Sequence, residues 1–119
     1  MKEGIVVFGH GSSRASANEA VCKVAAQAAA EGGWGVWTTA FLEADPRLAE
    51  GVAELVAAGA DSILIVPYFL TLGVHLDRDL PELVRELEAR FGIPMRVTPP
   101  LDGHAALSRI LVERAEAAV

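Results

Sequence analysis

The chain has 119 residues, 52% of them apolar and 22% charged, with a formal net charge of −6. That length accommodates one domain around one core and not two, and no apolar run approaches the ~20 residues of a membrane span. The acidic balance excludes a non-specific nucleic-acid binder, because phosphate contacts need a basic face. The one cysteine, Cys22, excludes an intrachain disulfide and a cysteine-based zinc cluster; at a helical position among Ala and Val, it reads as a small buried hydrophobe. Met1-Lys2-Glu3-Gly4 leads straight into an apolar run, without the charged region and cleavage site of a signal peptide, so a cytoplasmic location is expected.

The pattern alternates strand and helix. Residues 4–9 are short, continuous and apolar, as a buried strand requires. Ser16-Ala17-Asn18-Glu19 predicts a capping box for a helix to about Glu31, stopped by Gly32-Gly33. Trp34 to Phe41 predicts the second strand, with Trp34 and Trp37 on opposite faces. Asp45-Pro46 predicts the next helix start, with Asp as N-cap and Pro at the first position, and Gly59 its end. Ser62 to Val66 predicts the third, most central strand, followed by a long loop from Pro67 to Arg78. Asp79-Leu80-Pro81-Glu82 predicts a capped third helix ending at Gly92 and Pro94. Met95 to Thr98 predicts a short fourth strand, and Asp102 opens a last helix. Four βα units define an α/β fold: a single doubly wound domain over 1–119, with a four-stranded parallel sheet and helices on both faces through right-handed crossovers. The strand order expected for such a sheet is 2-1-3-4, which puts the switch point between the first and third strands.

Candidate chemistry gathers after the strands. Gly9-His10-Gly11-Ser12-Ser13 follows the first apolar run directly, and His75 occupies the loop after the third. Glu43 follows the second strand. Two imidazoles and a carboxylate suit a first-row divalent cation such as Co²⁺, Ni²⁺ or Fe²⁺, and three protein ligands leave coordination positions open for transfer or catalysis. Ser12, Ser13 and Arg14 bring hydroxyls, backbone N–H groups and a cation to a helix start, an anion-binding arrangement. His104 also follows a strand end, at a position expected for a surface residue at a helix start. Competing chemistries lack their residues. A phosphohistidine phosphatase needs Arg where Gly9 stands, and there is no Gly-x-Ser-x-Gly elbow, P-loop or dinucleotide fingerprint.

Several stretches together resemble the small CbiX-type sirohydrochlorin chelatases. They are the strand leading to Gly9-His10-Gly11-Ser12, Phe41-Leu42-Glu43 followed by Asp45-Pro46, Val66-Pro67-Tyr68-Phe69-Leu70 leading to Gly73 and His75, and Pro100-Leu101-Asp102-Gly103-His104. The resemblance runs in order over essentially the whole chain. It implies a lyase that inserts a divalent metal, commonly cobalt, into sirohydrochlorin on the way to cobalamin. It also implies that His10 and His75 are catalytic and metal-binding and that Glu43 is a further metal ligand. No cofactor is expected to be held permanently; Co²⁺, or alternatively Fe²⁺ or Ni²⁺, is a substrate. The tetrapyrrole is polyanionic, and Ser12, Ser13, Arg14 and Arg78 are the expected receivers of its carboxylates. Apolar residues Phe69, Leu70, Leu72 and Val74 are candidates to cover the macrocycle. Longer relatives fuse two such halves, so a half-length chain is expected to supply one lobe and to act as a homodimer with an isologous contact. A carrier that binds metal or tetrapyrrole without joining them is the competing expectation.

Overall fold

A computed structural model of the chain describes residues 2–118; Met1 and Val119, the two ends of the domain expected over 1–119, lie outside the described residues. Its strands are β1 (Glu3–Gly9), β2 (Val36–Phe41), β3 (Ser62–Tyr68) and β4 (Met95–Val97). The helices are α1 (Ala15–Gly32), α2 (Leu48–Ala57), α3 (Gly73–Phe91) and α4 (Ala106–Glu116). All pairings are parallel and the order is β2-β1-β3-β4, as expected from the alternating pattern. Among the described residues no helix is long and apolar enough to cross a membrane.

Parallel strands are joined through crossover helices, which lie on both faces of the sheet, and its inner strands are largely apolar. Residues Gly4 to Gly9 of β1 are all buried. Toward one face, Val6, Phe8, Ala40, Ile63 and Ile65 meet Val52 and Leu55 of α2 and Leu80, Val84 and Leu87 of α3. Gly51 lets α2 lie close on the sheet; a Cβ there would stand 3.1 Å from that of Ala40. On the opposite face α1 contributes Ala25 and Ala29, with Ile5, Val7 and Thr39 buried beneath. Cys22, expected to be buried, is half-buried, its Sγ 3.2 Å from Thr39 Oγ1.

Helix starts differ from the sequence expectations, each for a local reason. Asn18 does not cap α1. Its side chain turns back to Ser12, accepting from the backbone N–H and donating to the carbonyl, both at 2.9 Å, and the helix begins at Ala15 with Arg14 as N-cap. Asp45-Pro46 does not open α2, because the chain first folds back on β2: Pro46 accepts from Phe41 N–H at 2.8 Å. Glu50 then holds the Arg47 N–H at 2.9 Å, and α2 begins at Leu48. The long third loop is shorter than expected, since α3 begins at Gly73 and carries Pro81 inside it. Proline there sacrifices only the helical bond to the Asp77 carbonyl. Trp34 precedes β2 rather than lying in it, and packs so closely over Gly32 that a Cβ there would meet its Nε1 at 2.5 Å. The last helix starts at Ala106 and not at Asp102, whose N–H is taken by the Leu70 carbonyl at 2.9 Å.

Helix α4 is set apart from the body. None of its residues is buried. The radius of gyration is 15.0 Å, with extents of 51 × 32 × 28 Å. A compact chain of this length has a radius near 13.5 Å, roughly.

Candidate active site

The parallel ladder of β1 and β2 does not stop at the strand ends. Beyond the Gly9–Phe41 pair, Leu42 N–H donates to the Gly9 carbonyl at 2.9 Å and Glu43 N–H to the His10 carbonyl at 2.8 Å. Two loops are thus laid side by side by backbone bonds. Gly11 makes the approach possible: its φ is +88°, and a Cβ would stand 2.9 Å from the Cβ atoms of both Ala44 and Phe41. Few residues other than glycine adopt that backbone, and none with a side chain fits that space. The result is a specific contact, His10 Nε2 donating to Glu43 Oε2 at 2.9 Å. Both side chains stay open, with 59% and 64% of their surface exposed.

Just past the end of β3, Phe69 supplies an aromatic wall. Its ring meets Phe8 at 5.8 Å between centroids and faces His10 edge-on at 6.2 Å. His75 lies in the first turn of α3 and not in a loop, so it is aimed by helical geometry. Residues His75, Asp79 and Leu83 recur every four positions and turn one helix face to the same hollow. This cavity, of about 550 Å³, is lined by His10, Glu43 and His75 together with Leu42, Phe69 and Leu72. It lies where the order of the sheet switches between β1 and β3, at the strands' carboxyl ends.

The three expected metal ligands therefore line one cavity, with a difference in spacing. His10 and Glu43 touch, whereas among the described residues no three His, Cys, Asp or Glu side chains stand close enough to enclose an ion. A cation with bonds near ~2.1 Å and ligands at right angles needs donor atoms about 3 Å apart, which is the spacing of this pair. Two adjacent donors and an imidazole farther along the wall make an open, incomplete donor set.

The expected anion receivers lie elsewhere. Ser12 is half-buried, its Oγ accepting from Arg14 N–H at 3.0 Å, while Ser13 and Arg14 are exposed at the start of α1. None of the three lines the cavity, and neither does Arg78. Arg78 is one turn beyond His75, bonded through Nε to Asp79 Oδ1 at 2.9 Å, with Nη2 3.4 Å from His75 Nδ1. The hydrogen bond to Arg78 holds the Asp79 carboxyl below its ordinary value, and the same bond raises the guanidinium. A guanidinium only donates, so Nδ1 of His75 faces it as an acceptor. His104 Nδ1 accepts from Ala106 N–H at 3.0 Å, which makes it part of the α4 start and not of the cleft.

Sequence reasoning missed Asp79 as a cavity residue because Asp79-Leu80-Pro81 reads as a helix cap. Its spacing of four from His75 was the available signal. It also missed Asn18 as the clamp on the Ser12 turn, for which the sequence carries no distinct sign.

The fold and site thus define an α/β domain with an open imidazole–carboxylate cleft at the switch point of its sheet. The CbiX family model matches residues 4–118, and the chain belongs to the CbiX family. It is 33% identical over 124 residues to a sirohydrochlorin cobaltochelatase of Methanococcoides burtonii, covering 96% of this chain and 95% of that one. Among solved structures it is similar to a putative cobalamin biosynthesis CbiX protein from Marinobacter aquaeolei, with a TM-score of 0.82 and 28% identity over 98% of this chain and 99% of the other. It is also similar to the sirohydrochlorin chelatase SirB of Bacillus subtilis subspecies spizizenii in complex with cobalt. There the TM-score is 0.90 at 25% identity, and the match covers 98% of this chain but 51% of that one.

Proposed function

We propose that this chain is a cytoplasmic sirohydrochlorin chelatase that inserts a divalent metal, cobalt before iron or nickel, into the tetrapyrrole. The observation that carries the reading is the His10–Glu43 contact at 2.9 Å in a cavity shared with His75, in a chain of the CbiX family. Full-length similarity to a named cobaltochelatase favours cobalt, because imidazole and carboxylate donors alone discriminate poorly among these ions.

Insertion removes two protons from pyrrole nitrogens, strips water from the ion and forms bonds from the macrocycle nitrogens to the metal. In this reading His10 and Glu43 take the ion first. Nε2 of His10 donates to Glu43, so the ring must turn to the tautomer with its proton on Nδ1 before a metal can bind at Nε2. Holding by few ligands is what transfer requires, since a closed ligand set would retain the ion. A neutral imidazole nitrogen can accept a pyrrole proton, and in this reading His75, on the wall of the same cavity, takes that role. Leu42, Phe69 and Leu72 offer apolar surface to the face of the macrocycle, and exposed Leu70 and Val74 extend it at the rim. Ser12, Ser13, Arg14 and Arg78 lie outside the cavity wall, and in this reading they receive the peripheral carboxylates of the tetrapyrrole. One chain supplies one wall of the cleft, and a homodimer supplies the other.

Anaerobic absorbance spectroscopy with sirohydrochlorin and Co²⁺, Ni²⁺ or Fe²⁺ in turn tests this against a protein-free control. Multiple turnovers, fastest with Co²⁺, are expected. Stoichiometric binding without turnover would replace the chelatase by a carrier.

A further inference from the structure

Glu43 reaches His10 from loop 42–47, which joins β2 to α2. The loop is closed at its base, where Phe41 N–H donates to the Pro46 carbonyl at 2.8 Å and Phe41 pairs with Arg47 as in a parallel ladder. Inside it, one peptide plane aims Glu43: the plane shared by the Leu42 carbonyl and the Glu43 N–H. A peptide plane is rigid in itself but swings about the φ and ψ on either side of it. This one is held at both ends. Its N–H donates to the His10 carbonyl at 2.8 Å, and its carbonyl accepts from Nη1 of Arg47, also at 2.8 Å. A guanidinium is a charged donor, which makes the stronger kind of hydrogen bond.

Arg47 breaks the preferences of the helix it precedes. It is the N-cap of α2, a position that favours Ser, Thr, Asp or Asn, and a helix N-terminus disfavours a cation. A guanidinium accepts nothing, so it cannot bond the free N–H groups of the first turn. Its side chain turns to the loop instead, with Nη1 on the Leu42 carbonyl and Nε 3.7 Å from Asp45 Oδ1. Arg47 does not line the cavity that holds Glu43. It lies behind that wall, beside a hollow of about 190 Å³ that it shares with Phe41 and Leu42. A local preference broken next to a site is where a compensating task is to be sought, and here the task is visible in the bond to Leu42.

We propose that Arg47 is a positioning residue for metal capture: by holding the Leu42 carbonyl it fixes the peptide that carries Glu43 and keeps that carboxylate beside His10. The proposal rests on Glu43 being a metal ligand, as in the preceding reading, and names the group that keeps it in place. His10 Nε2 and Glu43 Oε2 stand 2.9 Å apart, close to the ~3 Å that one ion with ligands at right angles requires. A loop free to swing at Leu42 would hold that spacing only part of the time.

Titration of the full chain with Co²⁺, without tetrapyrrole, is the test. Arg47→Ser removes the clamp and installs a favoured N-cap, so stability in urea is expected to be kept. Co²⁺ affinity is expected to fall about three- to fivefold, less than the tenfold cost of losing a partner bonded to the ligand atoms themselves. Arg47→Lys keeps a charged donor in reach of the Leu42 carbonyl and is expected to stay within about twofold of the wild type. The decisive readout is coupling. In a Glu43→Gln background, Arg47→Ser is expected to cost no further Co²⁺ affinity, because the ligand it positions is already lost. Affinity for sirohydrochlorin, followed by its absorbance, is expected to be unchanged.

Wild-type Co²⁺ affinity in Arg47→Ser overturns the proposal, as does a loss that adds in full to that of Glu43→Gln. Weaker sirohydrochlorin binding with Co²⁺ binding intact also overturns it, and makes Arg47 a receiver of substrate carboxylates. Arg47→Met, of similar length and without a donor, carries the same cycle should Arg47→Ser fail to fold. Turnover is read separately. Cobalt insertion with Co²⁺ binding indifferent to Arg47 overturns only the clamp, and coupled Co²⁺ binding without turnover overturns only the chelatase.

Discussion

His10 and His75 line the same cavity but are held in different ways. His10 is fixed from behind: its loop is stitched to the next by two backbone bonds, closed on Gly11, and its ring is bonded to Glu43 and edged by Phe69. His75 stands on an exposed first turn of helix, with the Arg78 guanidinium 3.4 Å from its ring as its polar neighbour. A tightly placed donor pair suits capture of the ion, and a loosely held imidazole suits proton traffic as the macrocycle enters. The contrast teaches that one cleft can divide the two tasks by how firmly the backbone grips each side.

Removing each ring is the most direct way to break this division. His10→Ala is expected to lower the rate of cobalt insertion by about 10²–10⁴-fold, and to abolish metal binding in the absence of tetrapyrrole. His75→Ala is expected to lower the rate by about 10²-fold while metal binding by the free protein persists. Anaerobic initial rates and metal titrations measure both. If free-metal affinity falls equally in the two variants, the division of labour is wrong.

Gly11→Ala attacks the gripping device without touching a donor atom. A left-handed backbone and a Cβ 2.9 Å from two neighbours together cost about 1–3 kcal/mol in unfolding free energy, measured by urea titration. The His10 loop must move away from Ala44, so insertion should fall with it, by more than the same destabilisation placed elsewhere would cause. A change at a distant core position of equal cost, such as Ile63→Val, serves as the control. Glu43→Gln is gentler still: the shape remains and one anionic donor goes, so metal affinity is expected to drop about tenfold, comparable to loss of an outer partner of a ligand.

Much of this arrangement was legible in the chain. Strand runs such as Ile5-Val6-Val7-Phe8, buried on both sides, and Ile63-Leu64-Ile65-Val66, buried on one side and half-buried on the other, are marked by apolar continuity regardless of context. The three cavity residues could be read from their places after strands, because parallel strands deliver their carboxyl ends to one side. Helix starts were less legible, since Pro46 and Pro81 are read by the same rules whether they begin a helix, close a turn or sit inside a helix. The choice is made by tertiary bonds, such as Phe41 N–H to the Pro46 carbonyl, that no local pattern contains. The isolation of α4 was not legible either, because a Leu107-Ile110-Leu111 stripe looks the same whether it packs on its own sheet or on none.

The smallest expected effect tests the loose side of the cleft. Asp79, at the solvent-open edge of the cavity, is paired with Arg78, and its carboxyl titrates below the ordinary ~3.9 in the folded chain because of that hydrogen bond. A carboxyl lowered on folding adds stability above its unfolded value and loses that contribution as pH falls through the folded value. Both partners are fully exposed, so solvent screens the pair and the contribution is slight. Asp79→Asn is therefore expected to change the melting temperature near neutral pH by little more than the error of the melt, and not at all once the pH lies below the folded value. Its effect on insertion is expected to be under about threefold, well short of the loss in His75→Ala. Should Asp79→Asn slow insertion as much as His75→Ala does, the Asp79–Arg78 pair grips the His75 ring as firmly as the backbone grips His10. The two walls of the cleft would then differ only in sequence, not in how they are built.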